Sequence, residues 1–265
     1  MKRKHVLGTA ILALLAIPTA IAVEPGPDLK SRLQKRTFKD AQGDSLPYRI
    51  HVPTQYDKSR KYPLILFLHG AGGRGDDNQA QLNNAQVLRF ISDEVAAQQP
   101  CIFVAPQCPK GALWSPRRPD LTASEGEPTK PEMLVLELLD ALEKEFSVDP
   151  ARRYVTGLSM GGFGSFDLCL RRPDYFAAAV PVCGGAVPAN AKKMASVAFW
   201  IMHGADDKVI PPDLSRKMVE ALQEAKAEVK YTEYPGVGHD SWVKAYQEPE
   251  LVDWLFAHRS RPENP

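Results

Sequence analysis

The chain has 265 residues, of which 44% are hydrophobic and 25% charged, with 33 Lys and Arg against 32 Asp and Glu. This length suits one large domain or two small ones, and the composition excludes a disordered or collagen-like chain. A formal net charge of +1 provides no basic surface for nucleic acid or an anionic membrane. We therefore expect a globular protein that binds neither.

The N-terminus has the three-part pattern of a secretory signal. Basic residues at positions 2–4 precede an apolar run from Val6 to Ile21, and small residues close it at Ala20 and Ala22. The alternative is an uncleaved membrane anchor, but the run is slightly short for a spanning helix. We predict a signal peptide over residues 1–22 and one mature domain over residues 23–265. The mature protein is then periplasmic or secreted, with no stable membrane insertion.

Four cysteines follow, at Cys101, Cys108, Cys169 and Cys183. They form no CxxC pair and have no zinc-site spacing. Export permits disulfides, but the sequence leaves both the pairing and the choice between free thiols and one bridge open.

Predicted strands and helices alternate along the mature chain. Short apolar runs predict strands at residues 46–52, 62–68, 101–105, 154–156, 177–182 and 197–202, and a further strand is predicted at 228–233. Helices are predicted around residues 80–97, 132–146, 161–171 and 214–225. This order predicts an α/β fold with a mainly parallel sheet covered by helices on both faces. Ligands of such sheets bind at the carboxyl ends of the strands.

A Gly-x-Ser-x-Gly pattern lies where a predicted strand passes into a predicted helix. Its members are Gly157, Ser159 and Gly161. In this context the serine sits on a sharp turn, and side chains in place of the glycines would collide with the neighbouring strand and helix. The alternative is a glycine-rich turn with an ordinary serine. The flanking elements favour a nucleophile.

A serine nucleophile needs a base that is held in place by a third group. Of the six histidines, His239 lies on a late loop with a neighbouring glycine, after the strand predicted at 228–233. In this architecture the acid lies between nucleophile and base in chain order. Asp206 and Asp207 both follow the strand predicted at 197–202. Adjacent loop residues point in different directions, so at most one of them can orient His239.

Acyl transfer also requires backbone N–H groups aimed at the developing oxyanion. The residue after the nucleophile, Met160, supplies one, and the glycine-rich loop at 68–75 is the candidate for the second. This loop also matches the dinucleotide pattern Gly-x-Gly-x-x-Gly, but polar residues 74–78 follow where an apolar helix should begin. We expect neither a cofactor nor a metal.

Together these segments resemble the α/β-hydrolase superfamily. They are most similar to secreted bacterial esterases of the phospholipase/carboxylesterase and dienelactone-hydrolase type, related to feruloyl esterases and prolyl-oligopeptidase catalytic domains. The resemblance is carried by residues 68–78, 105–109, 157–162, 181–185, 203–211 and 238–242. It implies an α/β-hydrolase fold, a triad of Ser159, His239 and Asp207, and oxyanion donors at Ala71 and Met160.

The interval between the strands predicted at 177–182 and 197–202 leaves no room for a large cap domain. We therefore expect an open site that hydrolyses small-molecule or polysaccharide-linked esters, such as feruloyl, acetyl or short-chain acyl esters. Gln107, Trp114 and Trp242 are the predicted substrate-binding residues. The alternatives are a serine peptidase or acylaminopeptidase of the prolyl-oligopeptidase type and a non-catalytic binding protein. The sequence gives no indication of the oligomeric state.

Overall fold

A computed structural model describes residues 28–116 and 126–260. The predicted signal peptide, residues 1–22, lies outside the described residues. One sheet contains eight strands: β1 (Gln34–Lys39), β2 (Ser45–His51), β3 (Tyr62–Leu68), β4 (Ile102–Pro106), β5 (Val148–Leu158), β6 (Ala178–Val182), β7 (Ala198–Gly204) and β8 (Val229–Tyr234). Their order is β1-β2-β4-β3-β5-β6-β7-β8. The β1–β2 and β2–β4 pairs are antiparallel, and all other pairs are parallel.

Helices cover the sheet. They are α1 (Asp93–Gln98), α2 (Lys130–Glu145), α3 (Met160–Arg171), α4 (Asp213–Glu224), α5 (Trp242–Ala245) and α6 (Leu251–Ala257). Short 3-10 segments lie at Leu29–Arg32, Ala71–Gly73, Ala80–Leu82, Ala85–Ile91 and Pro188–Met194. The start of α2 is fixed by a capping box in which the Thr129 hydroxyl accepts from the Glu132 N–H and the Glu132 carboxylate accepts from the Thr129 N–H.

The central strand β3 explains why both faces of the sheet must be covered. All seven of its residues are buried, and successive side chains of a strand point to opposite faces. Leu64 and Leu66 belong to the core layer formed with α2, α3 and α4. Ile65 and Phe67 belong to the layer formed with α1, α6 and the 3-10 segments Ala80–Leu82 and Ala85–Ile91. The predicted α/β sheet with two covered faces is therefore confirmed.

The helix predicted over residues 80–97 is wrong. Two 3-10 segments and the six-residue α1 occupy this stretch. Asn83 and Asn84 separate the 3-10 segments, and asparagine side chains compete with helical backbone hydrogen bonds. Ser92 then begins α1, because its hydroxyl accepts from the Val95 N–H at 3.3 Å. The edge strand β1 and the short helices α5 and α6 were not predicted.

The connection between β6 and β7, residues 183–197, contains a single seven-residue 3-10 segment. No cap domain lies there, as predicted. All four cysteines are buried free thiols. Within residues 28–116 and 126–260, no helix is long and apolar enough to cross a bilayer.

Candidate active site

Ser159 occupies the turn between β5 and α3. Its φ of 53° and ψ of −116° are unusual for a residue with a side chain, and such a conformation costs on the order of 1–3 kcal/mol. The turn is held by the Ser159 N–H, which donates to the Val182 carbonyl at 2.9 Å. The strained strand-to-helix turn predicted from the glycine pattern is present.

The two pattern glycines allow this turn to pack against β3. A Cβ added to Gly157 would lie 2.3 Å from the Gly161 carbonyl oxygen, and one added to Gly161 would lie 1.9 Å from the Leu68 carbonyl oxygen. Neither obstacle is a flexible side chain, so neither can move without shifting the backbone. The predicted collision is confirmed.

Gly161→Ala is therefore expected to lower the free energy of unfolding by about 3 kcal/mol or more, because the added methyl group must displace β3. Urea unfolding measures the loss. Gly72→Ala is the matched control, since a Cβ at Gly72 meets nothing within 4 Å, and its cost should stay below about 1 kcal/mol. Equal stability of the two variants would contradict the packing argument.

Ser159, His239 and Asp207 form one continuous chain of hydrogen bonds. Ser159 Oγ lies 2.9 Å from His239 Nε2, and His239 Nδ1 lies 2.7 Å from Asp207 Oδ2. An ionised carboxylate only accepts, so His239 donates from Nδ1. Its Nε2 is then free to accept the serine proton. The structure thus brings together three side chains that are 80 and 32 residues apart.

Asp207 is held ionised although its side chain is fully buried. Burial alone would raise its pKa, but the hydrogen bonds from His239 and from the Ile210 and Val209 N–H groups outweigh burial and hold the pKa below its usual range. The two backbone donors bind Oδ1, each at 2.9 Å. The carboxylate can therefore orient His239 through Oδ2 alone.

The neighbouring Asp206 faces solvent. Its backbone N–H donates to the Val237 carbonyl at 2.9 Å, which ties this loop to the loop that carries His239. The residues alone left two candidate acids, Asp206 and Asp207. Only Asp207 forms a hydrogen bond with His239 in the structure.

The loop after β3 passes directly over the nucleophile. A Cβ added to Gly70 would lie 3.7 Å from the Cβ of Ser159. The next residue, Ala71, is exposed and begins a 3-10 turn, whereas Met160 is buried as the first residue of α3. The two predicted oxyanion donors thus lie on the two segments that flank Ser159.

His69 fixes the direction of the Gly70–Ala71 peptide. Burial lowers the pKa of His69 to about 4, so the ring is neutral. Its Nε2 accepts from the Cys108 N–H at 3.0 Å, so Nδ1 carries the proton and donates to the Gly70 carbonyl at 2.6 Å. Because the C=O and N–H of a trans peptide point in opposite directions, the Ala71 N–H points away from His69.

Gln107 and Trp114, predicted as substrate-binding residues, lie inside the protein. Gln107 is 0% exposed and Trp114 is 1% exposed. The Gln107 amide donates to the Gly73 carbonyl and the Asp77 carboxylate and accepts from the Asn78 N–H. Neither predicted side chain presents a surface to a ligand here.

Trp114 and Gln107 instead support the loop after β3. The Trp114 indole N–H donates to the His69 carbonyl at 3.0 Å, and its ring packs edge-on against the His69 ring with centroids 5.1 Å apart. Their side chains are thus used to hold His69 and the turn that follows it. Residues 117–125, which follow Trp114, lie outside the described residues.

Gln107→Leu is expected to lower the free energy of unfolding by about 2–4 kcal/mol, because it removes three hydrogen bonds and leaves buried partners unpaired. Chemical denaturation measures this loss. If Gln107 contacted substrate instead, the variant would keep its stability and show only a raised KM.

Trp242, the third predicted substrate contact, lies beside the base. Its ring packs edge-on against the His239 ring with centroids 5.5 Å apart, and the side chain is half-buried. It is therefore the one predicted substrate-binding side chain of the three that reaches the surface next to the triad.

Comparison with known proteins identifies the family of this chain. Residues 40–248 match the model of the family described as "Putative esterase". The chain belongs to this esterase family of the α/β-hydrolase superfamily. The framework that carries Ser159, Asp207 and His239 is the eight-stranded sheet, in which β2 alone runs antiparallel to the other strands.

Curated relatives from several Aspergillus species carry the name "Probable feruloyl esterase C". The protein from Aspergillus terreus is 30% identical over 166 residues, which cover 63% of this chain and 56% of the relative. The protein from Aspergillus clavatus is 28% identical over 211 residues, which cover 78% of this chain and 71% of the relative. The chain thus spans little more than half of the first relative.

A solved structure described as a thermostable esterase is 36% identical, with a TM-score of 0.82. The match covers 87% of this chain and 64% of that one. The shared fold therefore includes almost the whole described part of the chain.

Sequence reasoning missed two buried histidines, His69 and His203. The His203 Nε2 faces two acceptors, the Ile210 carbonyl at 2.9 Å and Asp207 Oδ2 at 3.3 Å. This nitrogen is therefore protonated and donates to them. Each histidine precedes a glycine at the end of a strand. This repeated His-Gly pair was the sequence signal that could have identified both histidines as parts of the site. The signal is weak, because a histidine at the end of an apolar strand can also be an ordinary buried residue without a role in the site.

Proposed function

We propose that the chain is a serine carboxylic-ester hydrolase that acts through Ser159, His239 and Asp207 and an acyl-enzyme intermediate. The observation that carries the proposal is the unbroken contact from Ser159 Oγ through both His239 nitrogens to Asp207. Membership of an esterase family supports the same reaction.

In the first step Ser159 Oγ attacks the ester carbonyl carbon while its proton passes to His239 Nε2. Asp207 holds the imidazole in the tautomer that leaves Nε2 unprotonated, and its charge stabilises the imidazolium that forms. The N–H groups of Ala71 and Met160 bind the oxyanion. The orientation imposed by His69 on the Gly70–Ala71 peptide supports this role for Ala71.

The tetrahedral intermediate collapses when the carbon–oxygen bond to the alcohol breaks. His239 returns its proton to the departing alkoxide, and the acyl group remains on Ser159. Water then attacks the acyl-enzyme by the same sequence of proton transfers. This restores the serine and releases the acid.

We propose extracellular feruloyl, acetyl or short-chain acyl esters as substrates. The names of the fungal relatives favour feruloyl esters. Two exposed apolar side chains lie close in sequence to residues of the site. Val209, 64% exposed, is two residues after Asp207, and Val243, 37% exposed, directly follows Trp242. Together with Trp242 they suit an aromatic acyl group or the face of a sugar.

Trp242→Ala is expected to raise KM for methyl ferulate about threefold to tenfold, since an aromatic contact contributes about 0.5–1.5 kcal/mol. The steady-state rates of the purified variants measure the change. Trp254→Ala is the control, because Trp254 packs against Trp200 and should leave KM unchanged. An equal effect of both substitutions would place Trp242 outside the substrate site.

The test of the reaction is a matched panel of methyl ferulate, aryl acetate, butyrate and octanoate, and a peptide anilide. Hydrolysis of ferulate or acetyl esters, lost in Ser159→Ala, is the expected result. Hydrolysis of the anilide alone would favour the peptidase alternative. If nothing is hydrolysed and a fluorophosphonate fails to label Ser159, the chain is a binding protein and the proposal is wrong.

We further propose that residues 1–22 are removed on export and that residues 23–265 act as one domain in the periplasm or the medium. The basic, apolar and small-residue pattern of the N-terminus supports this. Expression of the full chain in a bacterium, followed by mass measurement of the exported protein, tests it. A product that retains residues 1–22 would contradict the proposal.

A further inference from the structure

A fourth reactive side chain, Cys183, adjoins the triad. Its Sγ, a carboxylate oxygen of Asp207 and a ring nitrogen of His239 all lie within 4.8 Å of one another. Among the residues the structure describes, this is the only group of three or more His, Cys, Asp or Glu side chains with such spacing. The mechanism of ester hydrolysis uses two of the three and leaves the thiol without a role.

The backbone holds Cys183 firmly in this position. It directly follows β6, is fully buried, and has a φ of 41°, a left-handed conformation that is uncommon for a residue with a side chain. Its N–H donates to the Met202 carbonyl on β7 at 2.8 Å. The next residue, Gly184, packs so closely on α3 that an added Cβ would lie 2.6 Å from the Gly162 carbonyl carbon. The thiol therefore cannot move away from the triad without disturbing the sheet.

A second observation points to a ligand at this place. The Ser241 side chain is 0% exposed, and its hydroxyl oxygen has no hydrogen-bond partner among the described residues. The hydroxyl and the Cys183 thiol lie close together without the geometry of a hydrogen bond. Buried polar atoms are rarely left unpaired. A polar atom without a partner thus faces the thiol beside the triad.

We propose that Cys183, Asp207 and His239 form an inhibitory binding site for a thiophilic divalent cation of the zinc type. Sulfur, imidazole nitrogen and carboxylate oxygen are the donors that Zn²⁺ prefers, and three protein ligands leave a fourth position for water. Of the three ligands, Cys183 and Asp207 are buried, and the His239 side chain is 20% exposed, so the site reaches solvent through His239. The Ser241 hydroxyl can accept a hydrogen bond from the bound water.

Binding blocks the triad because the cation takes Nδ1, the ring nitrogen on the side of Asp207. A sulfur–metal bond replaces the S–H bond of Cys183, and the thiol proton passes to solvent. The ring proton of His239 moves from Nδ1 to Nε2, which then cannot accept the serine proton. The inhibition rests on the proposed esterase function, whereas the binding does not.

The activity test compares wild type, Cys183→Ala and the matched buried-cysteine control Cys169→Ala in aryl acetate hydrolysis with increasing Zn²⁺. Wild type and Cys169→Ala should be inhibited and should recover with a chelator. Cys183→Ala should need at least about tenfold more Zn²⁺ for the same inhibition. Equal sensitivity of Cys183→Ala and wild type would overturn the proposal.

The binding test uses Cd²⁺ and its ultraviolet thiolate charge-transfer band, so it needs no activity. Wild-type protein should develop the band with one equivalent of Cd²⁺, and Cys183→Ala should not. If Cys183→Ala fails to fold, His239→Ala decides, with an expected loss of about tenfold or more in Cd²⁺ affinity. Absence of the band in wild type, or unchanged affinity in His239→Ala, would overturn the site. A band without ester hydrolysis would retain the site and reject the proposed function.

Discussion

Ser159→Ala is expected to lower kcat/KM for an aryl acetate by about four to six orders of magnitude. The loss follows because the methyl group cannot form the acyl-enzyme, and His239 then has no proton to accept. The substitution keeps the Cβ that the turn already accommodates, so the free energy of unfolding should change by less than about 1 kcal/mol. Steady-state kinetics and urea unfolding of the same preparation measure both quantities.

Ser165→Ala is the matched control for this prediction. Ser165 lies on α3, the helix that follows Ser159, is fully buried, and donates from its hydroxyl to the Gly161 carbonyl at 2.8 Å. Its loss should lower stability by about 1 kcal/mol and leave kcat/KM within a few-fold of wild type. Substantial activity in a pure Ser159→Ala sample would remove the serine from the mechanism.

Asp207→Asn is expected to lower kcat by about three to four orders of magnitude. The amide can donate to Nδ1, which favours the tautomer that carries its proton on Nε2 and cannot accept from Ser159. It also removes the negative charge that stabilises the imidazolium. KM should change much less than kcat, because Asp207 is buried behind His239 and lies outside the path of the substrate.

Asp206→Asn distinguishes this effect from a general change of charge on the loop. Asp206 is exposed and adjacent in sequence, so its substitution should leave kcat within about twofold, as expected for a surface change. If Asp206→Asn is the more damaging of the two, the acid of the triad has been assigned to the wrong residue. Kinetics on both variants at one pH is sufficient to decide.

The short β6–β7 connection has two consequences for the site. Residues 183–197 provide only a 3-10 segment, so this connection contains no cap domain. Its first residue, Cys183, lies beside Asp207 and His239. The connection that lacks a cap thus also brings a thiol to the atoms that carry out the proposed reaction.

The sequence by itself determined the α/β class, the turn at Ser159 and the choice of His239. These features depend on local patterns: apolar runs such as Tyr62–Leu68 that must be buried on both faces, and glycines at Gly157 and Gly161 where backbone segments touch. Local patterns are read correctly when a single physical requirement dominates, such as full burial of a strand. The local pattern gave a wrong helix over residues 80–97. There the apolar spacing favours a continuous helix, whereas Asn83 and Asn84 favour its interruption.

Only the tertiary structure decided which side chains meet. Gln107, Trp114 and Trp242 are all polar-tipped side chains near predicted strand ends, and nothing in the sequence separates the two that are buried from the one that lies at the surface beside His239. The residues alone likewise left Asp206 and Asp207 open, although the family resemblance indicated Asp207, and they gave no sign that Cys183 lies beside the triad. Such contacts join residues far apart in the chain, and their distances are set by the sheet order and by loop packing, which no local pattern specifies.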